Sequence, residues 1–295
     1  MKVLVTGGGG FIGGYVVEEL QAREHEPVIF DHYDRGGYPC PVILGDVRDA
    51  TAVTEAMAHV DGWVHLAAVL GTQETIQNPR PAAESNLMGG LNVLEAAAQY
   101  QVPGVYIGVG NHWMNNTYSI SKTMVERFVD MFNKHRGTKV NIVRAVNAYG
   151  PRQRAVPPWG DSRVRKITPS FVCRALDNLP LEVYGDGSQI SDMVYVTDVA
   201  RALVLALEKA EQGIVFPPVE VGSKAPTTVH YVASLVISLC KSQSKIVNLP
   251  MRPGEIEHSK VSANTETLRW IGLDPEQLVP LHVGLKKTIR YFQTC

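Results

Sequence analysis

Apolar residues recur with two different periods along the first half of the chain, and the two alternate. Short apolar runs at Lys2–Val5, Pro27–Phe30, Val42–Leu44, Trp63–Leu66, Val105–Ile107 and Val140–Val143 have the length and β-rich content of buried strands. Between them, Ile12–Gln21, Ala50–Ala58, Ala82–Tyr100 and Tyr118–Lys134 space their apolar positions along one face of a helix. Strand–helix alternation of this kind predicts βαβ units, hence an α/β fold with a doubly wound parallel sheet covered by helices on both faces. Such sheets bind ligands beyond the carboxyl ends of their strands, so the chemistry is to be sought in the loops that follow the strands. No internal repeat is present.

After Gly150-Pro151 the pattern loosens. Pro157-Pro158, Pro169, Pro180 and Pro217-Pro218 punctuate shorter elements, with helices read at Val199–Glu208 and Val229–Lys241. The division expected is a Rossmann-type domain over 1–150 and a smaller mixed substrate-binding lobe over 151–295, with some later segments returning to the main sheet.

Composition narrows the class. The chain has 295 residues, 45% hydrophobic and 19% charged, which is an ordinary globular balance with enough length for a substantial core. No run of eighteen apolar residues occurs, so no membrane span is expected. The first residues enter a glycine turn too soon to form a signal peptide. Cys40, Cys173, Cys240 and Cys295 are scattered, with neither metal-ligand spacing nor a disulfide framework. A cytoplasmic address follows from these features. A formal net charge of −1 argues against general nucleic-acid binding. The charge is uneven, however. From Lys134 to Arg174 ten lysines and arginines face a single acid, Asp161, which reads either as a solvated basic face or as a funnel for an anionic ligand such as a diphosphate.

Thr6-Gly7-Gly8-Gly9-Gly10-Phe11-Ile12-Gly13 follows the first strand and opens the first helix. Gly7 permits a tight turn, Gly10 lets the backbone approach a pyrophosphate, and Gly13 allows close helix packing. The amides and helix dipole around Phe11 and Ile12 then hold the anion. Asp31 ends the second strand about 20 residues on, where a carboxylate accepts from ribose hydroxyls and repels a 2′-phosphate. No basic residue adjoins it, Arg35 being four positions further, so the cofactor read here is NAD rather than NADP. After the third strand, Asp46 and Val47 are placed to meet the adenine. After the fourth, Leu66, Ala67 and Ala68 leave room for a dinucleotide to lie across the strand ends.

Tyr118-Ser119-Ile120-Ser121-Lys122 puts a phenol and an ammonium four residues apart, on one face of a helix. A free phenol titrates near about 10, and a neighbouring cation favours its ionised form, which makes Tyr118 a candidate acid/base.

With these elements in this order, the sequence resembles the extended short-chain dehydrogenases/reductases, in the NAD-dependent epimerase/dehydratase family, from Lys2 to about Leu273. The segment led by Asn86, the run Arg144-Ala145-Val146-Asn147-Ala148-Tyr149-Gly150-Pro151-Arg152-Gln153, the stretch from Val183 through Tyr184 and Gln189 to Ala200, and Arg252-Pro253-Gly254-Glu255 resemble family segments. The resemblance implies that Tyr118 takes a proton from a sugar hydroxyl, most often at the fourth carbon, while NAD accepts a hydride. It implies that Lys122 holds the nicotinamide ribose and lowers the Tyr118 pKa, that Asn86 belongs to the cofactor site, and that Asn147, Arg152 and Arg252 fix a nucleotide diphosphate. Tyr184 and Gln189 lie in the part that closes over the nucleotide. The substrate implied is a nucleotide-diphosphate sugar.

Two departures stand out. Where the family carries a Ser/Thr cluster after the fifth strand, this chain reads Ile107-Gly108-Val109-Gly110-Asn111-His112, and the loop onward to Tyr118 is short. The absent hydroxyl leaves Asn111, Thr72, Thr117 or His112 to hold the reacting oxygen. Ser191 occupies a place where a phosphate-binding arginine is common. Nothing resembles the dehydratases' Thr-Asp-Glu triplet, which disfavours a 4,6-dehydratase. The leading expectation is a 4-epimerase acting through a 4-keto intermediate. Reduction, decarboxylation or an atypical elimination by the same chemistry, and a catalytically weakened NAD-binding sensor or scaffold, are the alternatives. Apolar residues beyond one stripe on the two long helices, Leu91, Leu94, Val125, Phe128, Val129 and Phe132, predict a homodimer.

Overall fold

The structure, a computed structural model, describes residues 1–34 and 36–294; Arg35 and Cys295, both weighed above, lie outside the described residues. The first half lays down β1 (Lys2–Thr6), α1 (Phe11–Ala22), β2 (Glu26–Asp31), β3 (Val42–Leu44), α2 (Ala50–Met57) and β4 (Gly62–His65). A short α3 (Arg80–Ala82) runs through a π-helical stretch, Ala83–Met88, into α4 (Gly89–Tyr100). Then come β5 (Gly104–Val109), α5 (Thr117–Arg136) and β6 (Val140–Ala145). Each strand and helix read from the sequence in this half is present, with ends moved by a few residues.

Seven strands form one parallel sheet in the order β11-β6-β5-β4-β1-β2-β3, where β11 (Val219–Val221) arrives from beyond residue 150 to pair with β6. Alternation along each strand divides the core between the faces. Val3 and Val5 of β1 join Val16, Val17 and Leu20 of α1 and Leu203 and Leu207 of α7 (Val196–Glu211). Leu4 points the other way, into a cluster with Val53 and Met57 of α2, Leu94 of α4 and Val125 and Val129 of α5. Leu4 is fully buried, so Leu4→Ala costs about 2–5 kcal/mol. Where β4 and β5 meet, Trp63 pairs with Gly104, and a Cβ there would sit 2.1 Å from the indole. Only glycine admits that ring, whose Nε1 donates to the Val102 carbonyl at 3.1 Å.

Helix α5 starts at a defined residue. The Asn116 side chain accepts the Ser119 amide at 2.9 Å, Gly137 ends the helix in the left-handed region (φ 72°), and Lys134, His135 and Arg136 complement the dipole of its last turn. The cap fixes where Tyr118 and Lys122 fall on the helix.

The rest of the second half is built from β7 (Ala148–Tyr149), α6 (Ile167–Leu176), β8 (Leu181–Tyr184), β9 (Ile190–Ser191), β10 (Val194–Tyr195), β12 (Thr227–Thr228), α8 (Val229–Cys240), β13 (Ile246–Leu249), β14 (Lys260–Val261) and α9 (Leu281–Phe292). Strand β8 pairs with β13, β7 with β10, and β9 lies between β12 and β14. A third cluster, including Phe171, Leu181, Val232 and Leu285, packs α6, α8 and α9 together beside the main sheet. Among the described residues no helix is long and apolar enough to cross a membrane.

Candidate functional site

The strand order reverses at β1, which has β2 on one side and β4 on the other, so a crevice opens above their carboxyl ends. The glycine turn and the loop after β4 meet there. Gly7 adopts φ 70°, and a Cβ on it would lie 2.7 Å from the Ala67 nitrogen; one on Gly13 would lie 2.3 Å from the Gly7 oxygen. Gly10 caps α1 with no side chain, so the first amides of that helix, around Phe11 and Ile12, are open to an anion. Asp31 reaches back to this turn and accepts the Gly9 amide at 3.0 Å. Thr6 Oγ1 and His65 Nδ1 stand 2.6 Å apart beneath the crevice, and burial first, then the charge of Lys122, pushes the imidazole down to about 3, keeping it neutral. These features fit a dinucleotide: a backbone cradle that a side chain would fill, an uncapped helix end and a carboxylate beside them.

Other residues expected at the cofactor are arranged less directly. Asp46 is held by Arg48, whose guanidinium grips both carboxylate oxygens and keeps its pKa below the usual range. Val47 is buried against Gly89, and its carbonyl accepts from Asn92. Leu66 and Ala67 pack into the two core faces, and Ala68 is half-buried. The Asn86 amide is occupied by protein: its oxygen accepts the Val69 amide at 2.7 Å, and its nitrogen donates to the Val69 carbonyl and to Ser121 Oγ. Asn86 thus ties the loop after β4 to α5.

Tyr118 and Lys122 lie one turn apart on α5. Tyr118 is half-buried and lines a cleft of about 320 Å³ together with Phe11, Ile12, Thr72 and Asn111. Lys122 is buried, and its Nζ has no hydrogen-bond partner in the protein. Burial pushes the Tyr118 phenol up to about 12 and the Lys122 ammonium down to about 7, the latter partly offset by Glu126. The sequence reading had Lys122 lowering the Tyr118 pKa. In the protein's own field desolvation dominates both groups and disfavours both charged forms.

The candidates for the absent hydroxyl separate. Asn111 lines the cleft, its Nδ2 making only a weak 3.5 Å contact with Met114 Sδ. Thr72 also lines it and donates to Glu255 at 3.3 Å. Thr117 is turned away, donating to the Thr75 carbonyl at 3.0 Å, and His112 is not on the cleft wall. Packing explains the glycines nearby: a Cβ on Gly108 would lie 2.2 Å from Glu126 Oε1, and one on Gly110 would lie 2.3 Å from Val146 Cγ1.

The far end of the same cleft is lined by Asn147, Tyr184, Gln189 and Arg252. Asn147 donates to Ser191 Oγ and to the Asp192 carbonyl, both at 3.0 Å. Gln189 donates to the Tyr184 carbonyl, and its Oε1 is buried without a partner. The Arg252 guanidinium lies 5.0 Å from the Tyr184 ring centre and pairs with Glu255. Arg152 is not brought to this cleft. Its guanidinium, expected at the diphosphate, instead binds both Glu18 oxygens on α1 and lies 3.8 Å from the Tyr15 ring centre. Within the basic run, Arg144 is held by Glu126, Arg154 by Asp161, and Arg165 and Arg174 both by Glu182; of these residues Arg165 also lines the cleft, as does Lys166. Arg165 donates to the Tyr184 hydroxyl at 3.0 Å. Lys166 makes no ion pair among the described residues, and burial lowers its pKa. Both were part of the funnel reading but not singled out, and Thr168, whose buried hydroxyl has no partner on the cleft wall, was missed.

A doubly wound parallel sheet with a glycine turn at its switch point, and a Tyr/Lys pair one helical turn apart beside it, defines a dinucleotide-binding enzyme of the short-chain dehydrogenase/reductase class. The sequence profile of the NAD dependent epimerase/dehydratase family matches residues 3–222, and the chain belongs to that family, whose cofactor is NAD. It is 28% identical, over 99% of its length and 98% of the relative's, to UDP-N-acetyl-alpha-D-glucosaminuronate decarboxylase of Bacillus cytotoxicus. It is 26% identical, over the same shares, to a putative UDP-glucose 4-epimerase of Methanocaldococcus jannaschii. The crystal structure of Thermus thermophilus UDP-glucose 4-epimerase in complex with NAD superposes with a TM-score of 0.85 at 30% identity, covering 99% of each chain.

Proposed function

We propose that the chain is an NAD-dependent epimerase acting at the fourth carbon of a sugar carried on a nucleoside diphosphate, through a 4-keto sugar. The observation that carries this reading is the continuity of one cleft, from the uncapped end of α1 past Tyr118 to Arg165, Lys166 and Arg252. A cleft of that span suits a substrate with a neutral reacting end and a doubly charged linker.

NAD, when bound, would supply the hydride acceptor and donor for the fourth carbon. The glycine turn and Asp31 would hold its adenosine half, and the Lys122 Nζ, a buried donor with no hydrogen-bond partner in the protein, suits the nicotinamide ribose hydroxyls. Tyr118 as phenolate takes the proton of the 4-hydroxyl and gives it back to the same oxygen after the sugar has presented its other face. A phenol pushed up to about 12 by burial is a poor base until a positive charge comes close, so proton abstraction is confined to the loaded cleft. Asn111, with an amide that both donates and accepts, holds the reacting oxygen, and Thr72 is the second donor. Arg252 and Lys166 balance the diphosphate charge.

Decarboxylation is a second reading, favoured by the 28% identity to a uronate decarboxylase. A 4-ketone makes a carboxylate on the fifth carbon a β-keto acid, so the same oxidation at the fourth carbon leads on to loss of carbon dioxide when the sugar is a uronate: the bond to the carboxylate breaks, its electron pair passes into the enolate of the ketone, and a proton then adds at the fifth carbon. Incubating the NAD-loaded protein with uridine and thymidine diphosphate sugars, neutral and uronic, and following the products by NMR tests both. Interconversion of 4-epimers supports the proposal. Carbon dioxide release from uronates alone supports the second reading, and inertness toward the whole panel favours a sensor or scaffold.

A further inference from the structure

We propose that the Tyr106 ring is the seat of the Lys122 ammonium, a cation–π contact standing where hydrogen bonds are absent and holding that ammonium charged and in place for NAD. The inference rests on the reading that Lys122 binds the cofactor.

The geometry is specific to this pair. Lys122 Nζ lies 4.1 Å from the Tyr106 ring centre, and both side chains are 1% exposed. The Tyr106 hydroxyl also donates to the Lys122 carbonyl at 3.1 Å, so one side chain from β5 holds both the backbone and the charged end of one residue on α5. Behind it the His65 imidazole of β4 stacks on Tyr106 at 5.8 Å between ring centres, with 25° between planes. Thr6 of β1 anchors that imidazole in turn. A layer of side chains drawn from β1, β4 and β5 therefore ends on the ammonium.

The charged neighbours do this only in part. Glu126, on the same helix, is bound by Arg144 of β6 through both carboxylate oxygens and makes no ion pair with Lys122, though its charge favours the ammonium from a distance. His65 is neutral, and Tyr118 on the same helix is a protonated phenol. Desolvation alone drives Lys122 toward the neutral amine. The face of an electron-rich ring opposes it, and does so most where water is excluded. Any apolar side chain of the same shape would fill the space, but it would leave only the distant, Arg144-bound Glu126 to oppose the loss of the proton.

Substituting ring-fluorinated phenylalanines at position 106 separates these roles, because each fluorine withdraws electron density with little change of shape. Tyr106→Phe is the reference, since it keeps the ring and removes only the hydroxyl. NAD affinity by calorimetry and the titration of Lys122 by NMR of ¹³Cε-labelled lysine are the readouts. The expected result is a stepwise loss, reaching roughly ten-fold in NAD affinity with three fluorines, and a Lys122 midpoint that falls with each fluorine. A flat series in both readouts overturns the inference. Lys122→Ala, measured in parallel, keeps the two levels apart. If it leaves NAD affinity unchanged, the reading of the cofactor site fails; if it weakens binding while the fluorine series stays flat, only the role given to Tyr106 fails.

Discussion

The Asp31 carboxylate accepts the Gly9 amide at 3.0 Å, which fastens the end of β2 to the glycine turn. The Asp31 side chain is only 10% exposed. An acid fixed beside the adenosine site meets ribose hydroxyls well and a 2′-phosphate badly, because like charges brought together cost several kcal/mol. NAD should bind at least about ten-fold tighter than NADP, and Asp31→Ser should narrow the gap mainly by weakening NAD. Calorimetric titration with both nucleotides checks this; equal affinities in the parent protein would refute the assignment.

Tyr118→Phe should lower turnover by about 10²–10⁴-fold while leaving NAD bound. Asn111→Ala should cost about 10²-fold with little change in nucleotide affinity. Gly110→Ser should not restore a donor, because Val146 already occupies the space and the substitution should lower Tm. Single-turnover kinetics and thermal melts on the three variants decide the matter. A faster Gly110→Ser enzyme would show that the glycine, and not Asn111, marks the donor's place.

Lys122 gives a prediction of opposite sign for stability. Its folded pKa, about 7, lies below the ordinary value of 10.5, so folding carries the cost of a desolvated ammonium at every pH below about 7. Between about 7 and 10.5 the folded state is already neutral and that cost fades. Lys122→Met should therefore abolish turnover yet stabilise the NAD-free protein by about 1–3 kcal/mol at pH 6.5, with a smaller gain at pH 9.5. Urea titrations at the two pH values test it, and a variant less stable at pH 6.5 speaks against a desolvation cost that exceeds what the Tyr106 ring and Glu126 return.

A homodimer is proposed on a surface somewhat different from the one first read. Leu94, Val125, Val129 and Phe132 belong to the chain's own core. The large apolar residues left exposed on the two helices and the π-helical stretch leading into α4 are Met88, Tyr100, Ile120, Met124 and Met131. Light scattering at micromolar concentration should give a dimer mass, and Met124→Asp should lower it toward the monomer. A monomeric parent protein counts against the proposal.

The legible parts of the fold and site are those written in local periodicity. Val3, Leu4 and Val5 alternate between faces, and the Tyr118–Lys122 spacing is one helical turn. Two-residue strands such as β9 and β14 are too short to show a period. The fate of Arg152 depended on Glu18, 134 residues away, and no local pattern reports such a pair. Lys166 was visible as charge, but its place on the cleft wall comes from the packing of α6 against the second-half sheets. The glycines at 108 and 110 read as a loss of chemistry, whereas they are required by Glu126 and Val146.

The most direct test of the central claim is the fate of the hydrogen on the fourth carbon. A nucleotide-diphosphate hexose deuterated at that carbon is incubated in ordinary water with the NAD-loaded protein, and the product is read by NMR. Hydride transfer within a closed cleft, with Tyr118 moving only the hydroxyl proton, predicts a 4-epimer that retains its deuterium. A 4-epimer whose deuterium has exchanged with water, or no 4-epimer from any hexose tried, would contradict it.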